Sequence, residues 1–128
     1  MSATLVDTSV FVALERRSLQ ALERISSLLE GDGVAVSAVT LAELLASPTL
    51  PGPWRTLFEA IFGSAAEVLP VSEAAARIGI DLARRVGGAK APDVMIAGAA
   101  AVRGLDVLTA DADFARLLGP AAEILRLS

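Results

Sequence analysis

Four acidic residues, Asp7, Glu43, Asp93 and Asp111, stand where a folded chain could gather carboxylates. Asp7 closes the strand-like run Ala3-Thr4-Leu5-Val6, and Asp111 follows the run Asp106-Val107-Leu108-Thr109 by two residues. Glu43 and Asp93 fall in the opening turns of apolar helical stretches. Carboxylates collected at one end of a sheet repel one another, and a divalent cation is the simple physical remedy. The chain contains no His and no Cys, so the available donors are oxygens, which favour Mg²⁺ or Mn²⁺ over zinc. A site of this kind activates water for attack at phosphorus and stabilises charge on the leaving oxygen. Thr8, Ser9 and Thr109 are placed to orient water or phosphate.

Each acid also has a structural reading. Asp7 suits a helix cap, although Thr8 and Ser9 could cap equally well and leave Asp7 available. Thr40-Leu41-Ala42-Glu43 matches a capping box. Asp93 after Pro92 suits a cap or a first-turn acid. Of the two late acids, Asp113 is assigned to cap the last short helix, and Asp111 repeats the arrangement of Asp7.

The elements that must position these residues read as follows. The spacing predicts a strand at 3–6, a short helix over 10–17, a helix over 18–30 and a strand at 34–37. A helix from Thr40 follows, then a break at 47–53 and a helix over 54–62. The remainder reads as a strand at 66–69, a helix from Ser72 to Val86, a helix from Asp93 to Ala101, a strand at 106–109, a helix over 113–118 and an edge strand within 123–127. This alternation predicts a mainly parallel sheet with helices on both faces. An apolar strand so near the N-terminus is most easily placed mid-sheet, and sites in open α/β sheets collect at the carboxyl ends of strands.

At 128 residues the chain is expected to form one domain, 1–128. Without Cys or His, thiolate sites, cysteine nucleophiles, Ser-His-Asp chemistry and imidazole switches are excluded. No uncharged apolar run reaches 18 residues, so no membrane span is expected. Met1-Ser2-Ala3 lacks a basic leader region, and a cytoplasmic setting is expected. The net charge of −4 argues against nonspecific coating of nucleic acid, but a local basic rim is compatible with it. Ten of the eleven basic residues are Arg, which suits bidentate phosphate contact.

Competing classes lack their motifs. A haloacid-dehalogenase-like phosphatase needs a second acid two residues after the first, where this chain has Ser9. A receiver domain needs paired early acids and a late Lys, whereas Lys90 lies in a glycine-rich loop. No P-loop or Gly-x-Gly-x-x-Gly turn follows the first strand. A non-catalytic protein-binding module is the alternative, because the apolar stripes of 18–30 and 54–62 could form a partner groove or dimer face. Convergence of the acids distinguishes the two readings.

Over its full length the chain resembles the PIN-domain ribonucleases, in particular the VapC-type toxins of bacterial toxin–antitoxin pairs. The resemblance rests on Val6-Asp7-Thr8-Ser9-Val10, Glu43-Leu44-Leu45, Pro92-Asp93-Val94-Met95-Ile96-Ala97 and Leu108-Thr109-Ala110-Asp111-Ala112-Asp113-Phe114. It implies a three-layer α/β/α sandwich around a five-stranded parallel sheet. It implies Asp7, Glu43, Asp93 and Asp111 around one or two Mg²⁺ or Mn²⁺ ions, with Asp113 as an outer candidate. It also implies cleavage of single-stranded RNA, a homodimer, and a VapB-type antitoxin whose C-terminal segment covers the site. Many relatives carry Arg or Lys just before the fourth acid, where this chain has Ala110. Phosphate contact then falls to another residue, with Arg16, Arg17, Lys90 and Arg55 as candidates by position. The glycine that often follows the second acid is replaced by Ala46-Ser47-Pro48.

Overall fold

The computed structural model describes residues 2–65 and 67–127. Among the described residues, five strands form one parallel sheet: β1 (Thr4–Val6), β2 (Val34–Ser37), β3 (Glu67–Leu69), β4 (Val107–Thr109) and β5 (Ala122–Ile124). The strand order is β3-β2-β1-β4-β5. The first strand is therefore central, and β5 is an edge. Seven α-helices among the described residues connect the strands: α1 (Thr8–Glu15), α2 (Leu19–Glu30), α3 (Ala38–Leu45), α4 (Gly52–Gly63), α5 (Glu73–Arg85), α6 (Ala91–Arg103) and α7 (Asp113–Leu118). A short 3₁₀ turn, Gly119–Ala121, leads into β5. The third strand starts at Glu67 among the described residues, and Ala66 lies outside them.

The strand side chains alternate between two cores, as the two-residue period requires. Val6, Val34, Val36 and Leu108 join Val10, Phe11, Ile25 and Phe58 from α1, α2 and α4. Leu5, Ala35 and Val107 join Ala75, Ala83, Ile96, Ala97, Ala100 and Phe114 from α5, α6 and α7. Helices thus cover both faces, in three layers.

The two layers pack by different means. On the first face, Phe11 meets Phe58 edge-on with ring centroids 5.6 Å apart and Phe62 at 5.3 Å. Such pairs contribute about 0.5–1.5 kcal/mol each beyond simple burial. The aromatic stripe of α4 is therefore mostly core, which corrects its reading as a spare partner face. On α2, Leu19, Leu22 and Leu29 do remain exposed.

On the second face, α5 and α6 touch through glycines. A Cβ at Gly79 would lie 2.1 Å from the Val94 carbonyl oxygen, and one at Gly98 would lie 1.9 Å from that of Ala75. Only hydrogen fits at either position. The crossing fixes the first turns of α6, where Asp93 lies. Among the described residues, no helix is long and apolar enough to cross a membrane.

Candidate active site

Asp7 leaves the carboxyl end of β1, and its N–H donates to the Leu108 carbonyl on neighbouring β4 at 2.9 Å. Its side chain caps α1, accepting the Ser9 N–H at 3.4 Å. The structural reading of Asp7 thus holds, and Thr8 and Ser9 do not relieve it of that role. Ser9 Oγ donates to Asp7 Oδ2 at 2.7 Å and Thr109 Oγ1 donates to the same oxygen at 2.9 Å. Both hydroxyls then accept from the loop after β4: Ser9 Oγ from the Ala110 N–H at 2.9 Å, and Thr109 Oγ1 from the Asp111 N–H at 3.0 Å. Each hydroxyl uses its single proton and one lone pair. The network fastens the turn after β1 to the turn after β4.

All of these bonds to Asp7 fall on Oδ2, so Oδ1 has no hydrogen-bond donor among the described residues. Asp7 is only 3% exposed, and among the described residues no buried side-chain oxygen lacks a partner. Oδ1 is therefore the oxygen through which this residue meets solvent.

Glu43 is the sixth residue of α3, because the helix starts at Ala38 with Ser37 as its cap. The capping-box reading of Thr40 and Glu43 is thereby corrected. Ser37 ends β2 and supplies the cap itself, so the helix begins two residues before Thr40. Glu43 is exposed, and its Oε1 accepts from Thr8 Oγ1 at 2.7 Å. With the Thr8 proton directed there, Thr40 donates its own to Thr8 across 2.9 Å. Thr40 is fully buried and is a member of the site that sequence reasoning gave only a capping role. The signal available was its spacing three residues before Glu43, on the same helix face.

Asp111 also differs from expectation. Its Oδ1 accepts the Asp113 N–H at 2.9 Å, so Asp111 holds the start of α7. Asp113 is an exposed first-turn acid of that helix, 3.9 Å from Arg116. The assignment of the cap to Asp113 is thus corrected, since Ala112 holds the cap position without a side-chain bond, and Asp111 keeps its place beyond β4.

Asp93 is the third residue of α6 and half-buried. Burial pushes its carboxyl up to about 6, and the negative charges of Asp7, Asp111 and Glu43 push in the same direction, in that order. Lys90 opposes them weakly. The other three acids are therefore within electrostatic reach of Asp93. Among the described residues, no three of them stand close enough to form a ready-made coordination shell. Asp7, Glu43 and Asp111 are each held by a neutral donor. In chemistry the set still fits a hard divalent cation. It is all oxygen, Asp7 Oδ1 is open, Asp93 has no hydrogen-bond partner among the described residues, and a cation would relieve the charge that Asp93 resists.

Two hollows flank the acids. One of about 120 Å³ is lined by Lys90, Asp93, Asp111, Asp113 and Arg116. The other, about 760 Å³, runs from Thr8, Ser9 and Ala110 along α1 to Arg16 and Arg17. Lys90 thus lies beside Asp93 and Asp111, whereas Arg16 and Arg17 stand at the far end of the second groove. Arg55 does not serve the acids, because its guanidinium donates to the Leu45 and Ser47 carbonyls and closes the loop between α3 and α4.

The raised Asp93 sets a pH dependence in metal-free protein. Its folded value near 6 exceeds the unfolded value of about 3.9. Between these limits the folded state binds more protons, so stability falls as pH rises through the window. In EDTA, Asp93→Asn is expected to melt higher than wild type at pH 7, by on the order of 1 kcal/mol after allowance for solvent screening. The difference should vanish near pH 4. A difference that is the same at both pH values would show that the cluster does not burden Asp93.

Sheet order, a central strand ending in Asp, and acids gathered at the carboxyl ends of β1 and β4 define a class. The sequence signature of the PIN domain matches residues 4–119, and the chain belongs to the PIN-domain family. Ribonuclease VapC5 of Mycobacterium tuberculosis (strain ATCC 25618 / H37Rv) is 38% identical over 135 aligned positions, covering 98% of this chain and 96% of that protein. Within the family, this relationship places the chain among the VapC ribonucleases. Among solved structures, VapBC-5 of M. tuberculosis matches with a TM-score of 0.65 and 35% identity, covering 99% of this chain and 100% of that one. DNA-bound VapBC of Salmonella typhimurium matches with a TM-score of 0.76 and 26% identity over 98% and 100%.

Proposed function

We propose that this protein is an endoribonuclease that hydrolyses RNA phosphodiester bonds with Mg²⁺ or Mn²⁺, and that it is the toxin of a toxin–antitoxin pair. The observation that carries this reading is that the charges of Asp7, Asp111 and Glu43 bear on half-buried Asp93, with Asp7 and Asp111 beyond the carboxyl ends of central β1 and its neighbour β4. The VapBC relatives support a VapB-type protein as the partner that silences it. The exposed leucines of α2 offer such a partner, or a second copy in a homodimer, an apolar surface. RNA as substrate follows the ribonuclease relative, and a cytoplasmic setting follows from that substrate.

Asp7, Glu43, Asp93 and Asp111 would hold the cation. When bound, it would supply Lewis-acid stabilisation of charge at phosphorus and a lower pKa for the attacking water. The chain's own residues do the rest. Ser9 and Thr109 fix Asp7 Oδ2 and thereby the direction of Oδ1. Thr8, itself held by Thr40, keeps Glu43 turned toward the cluster. Asp111 is steadied by the N–H at the head of α7, so the acids are supported before substrate arrives.

The test is cleavage of labelled total RNA by the purified, partner-free chain with Mg²⁺, with Mn²⁺ and with EDTA. Discrete fragments that require the metal are expected. A folded protein that cleaves nothing and takes up no Mn²⁺ by calorimetry would overturn the proposal and leave a binding module.

A further inference from the structure

The end of α1 carries an arginine where backbone geometry calls for glycine. The Arg17 N–H donates to the Leu14 carbonyl at 2.9 Å and the Ser18 N–H to the Ala13 carbonyl at 3.0 Å. This is the paired closure of a Schellman motif, whose left-handed residue is usually Gly. Elsewhere the chain follows that preference, with Gly104 at φ 64° after α6 and Gly87 at φ 86° after α5. Arg17 takes φ 65° and is the only non-glycine with positive φ among the described residues. A side chain in that region is strained, and such strain gathers at functional positions.

The location gives the strain a use. Arg16 and Arg17 are both exposed and line the 760 Å³ groove whose other end is formed by Thr8, Ser9 and Ala110. Ala110 is small, so the groove stays open toward the acids. Among the described residues, no carboxylate pairs with either arginine. The chain as a whole is acidic, at −4, and repels a polyanion. A phosphodiester strand reaching the acid cluster needs a cationic guide, and two adjacent guanidiniums at the groove's far end supply one. Leu19, 60% exposed beside them, offers a base an apolar surface.

We propose that Arg17, seconded by Arg16, holds a backbone phosphate of single-stranded RNA lying in the α1 groove, away from the bond that is cut. The proposal deepens the nuclease reading and rests on it, but its readout is binding. The probe is a fluorescein-labelled, mixed-sequence 12-nucleotide RNA, titrated in EDTA over a range of salt concentrations. Arg17→Gly should raise the melting temperature by about 3 °C, because it frees the left-handed position. It should also weaken RNA binding about tenfold and make the log–log salt dependence shallower by about 0.7, the value of one single-strand phosphate contact. Arg17→Lys should keep most of that slope. Arg84→Ala, which removes the same charge from α5, should bind as wild type does.

A more stable Arg17→Gly with unchanged RNA affinity and slope would overturn the proposal and leave the groove to a polypeptide. An equal loss in Arg84→Ala would overturn it in favour of net charge. If wild type cleaves no RNA and takes up no Mn²⁺ yet binds RNA through Arg17, the nuclease reading fails and the phosphate contact stands.

Discussion

Asp7→Asn is expected to abolish RNA cleavage, by about 10³-fold or more, in a protein that still folds. Asn is close to Asp in shape and can cap a helix, so the bond from the Ser9 N–H can survive. The hydroxyls of Ser9 and Thr109 can rotate to meet an amide. What cannot survive is the charge on Oδ1, the solvent-facing oxygen of a residue otherwise enclosed. Two measurements separate chemistry from folding: the circular dichroism melt, which should move little, and Mn²⁺ calorimetry, which should lose its signal. Full cleavage by Asp7→Asn would remove Asp7 from the site. Asp7→Ala is a poorer probe, since it also deletes the cap at a cost of about 1–2 kcal/mol.

The second large effect concerns stability. Gly98→Ala is expected to destabilise the fold by about 2 kcal/mol or more, against the gain of about 1 kcal/mol that helix propensity alone would give. A methyl at this position would stand 1.9 Å from the Ala75 carbonyl oxygen, which belongs to helix backbone and cannot yield cheaply. Gly52→Ala is the control, because nothing lies within 4 Å of its added Cβ. Gly79→Ala should be as costly and should also weaken Mn²⁺ binding. Its methyl would strike the carbonyl of Val94, the residue after Asp93. Denaturant melts that place all three variants near wild type would show that α5 and α6 adjust easily.

The sheet was legible in the sequence because its strands are short, apolar and separated by strongly periodic helices. The placement of β1 mid-sheet followed from its composition and position. Which acid caps which helix was less legible, because capping depends on where a helix starts. Ser37 and Thr40 both suit the start of α3, and Ser37 prevailed by ending β2 and capping α3 together. At α7 neither Asp111 nor Asp113 took the cap: Ala112 holds that position, and Asp111 accepts the N–H of the helix's first residue, two positions forward. The four acids could be nominated from strand ends and helix starts. The Thr40–Thr8–Glu43 chain could not, since it joins residues 32 and 35 positions apart. Arg17 was nominated as a phosphate contact by position alone. Its backbone conformation carries no sequence signature, because arginine is ordinarily placed elsewhere.

The knot of hydroxyls around Asp7 has a consequence for the time at which the protein becomes able to act. Ser9 meets Thr109 and Ala110 across 100 and 101 positions of sequence, and Thr109 meets Asp7 across 102. During synthesis β1 emerges first, and β4 must insert beside it much later. At about 5–20 residues per second, the interval between them lasts several seconds. Until β4 arrives, Asp7 lacks the Thr109 hydroxyl and Asp111 has not been made. A nascent chain therefore carries only half of the candidate site, and the hydroxyl network around Asp7 closes only once β4 has been made.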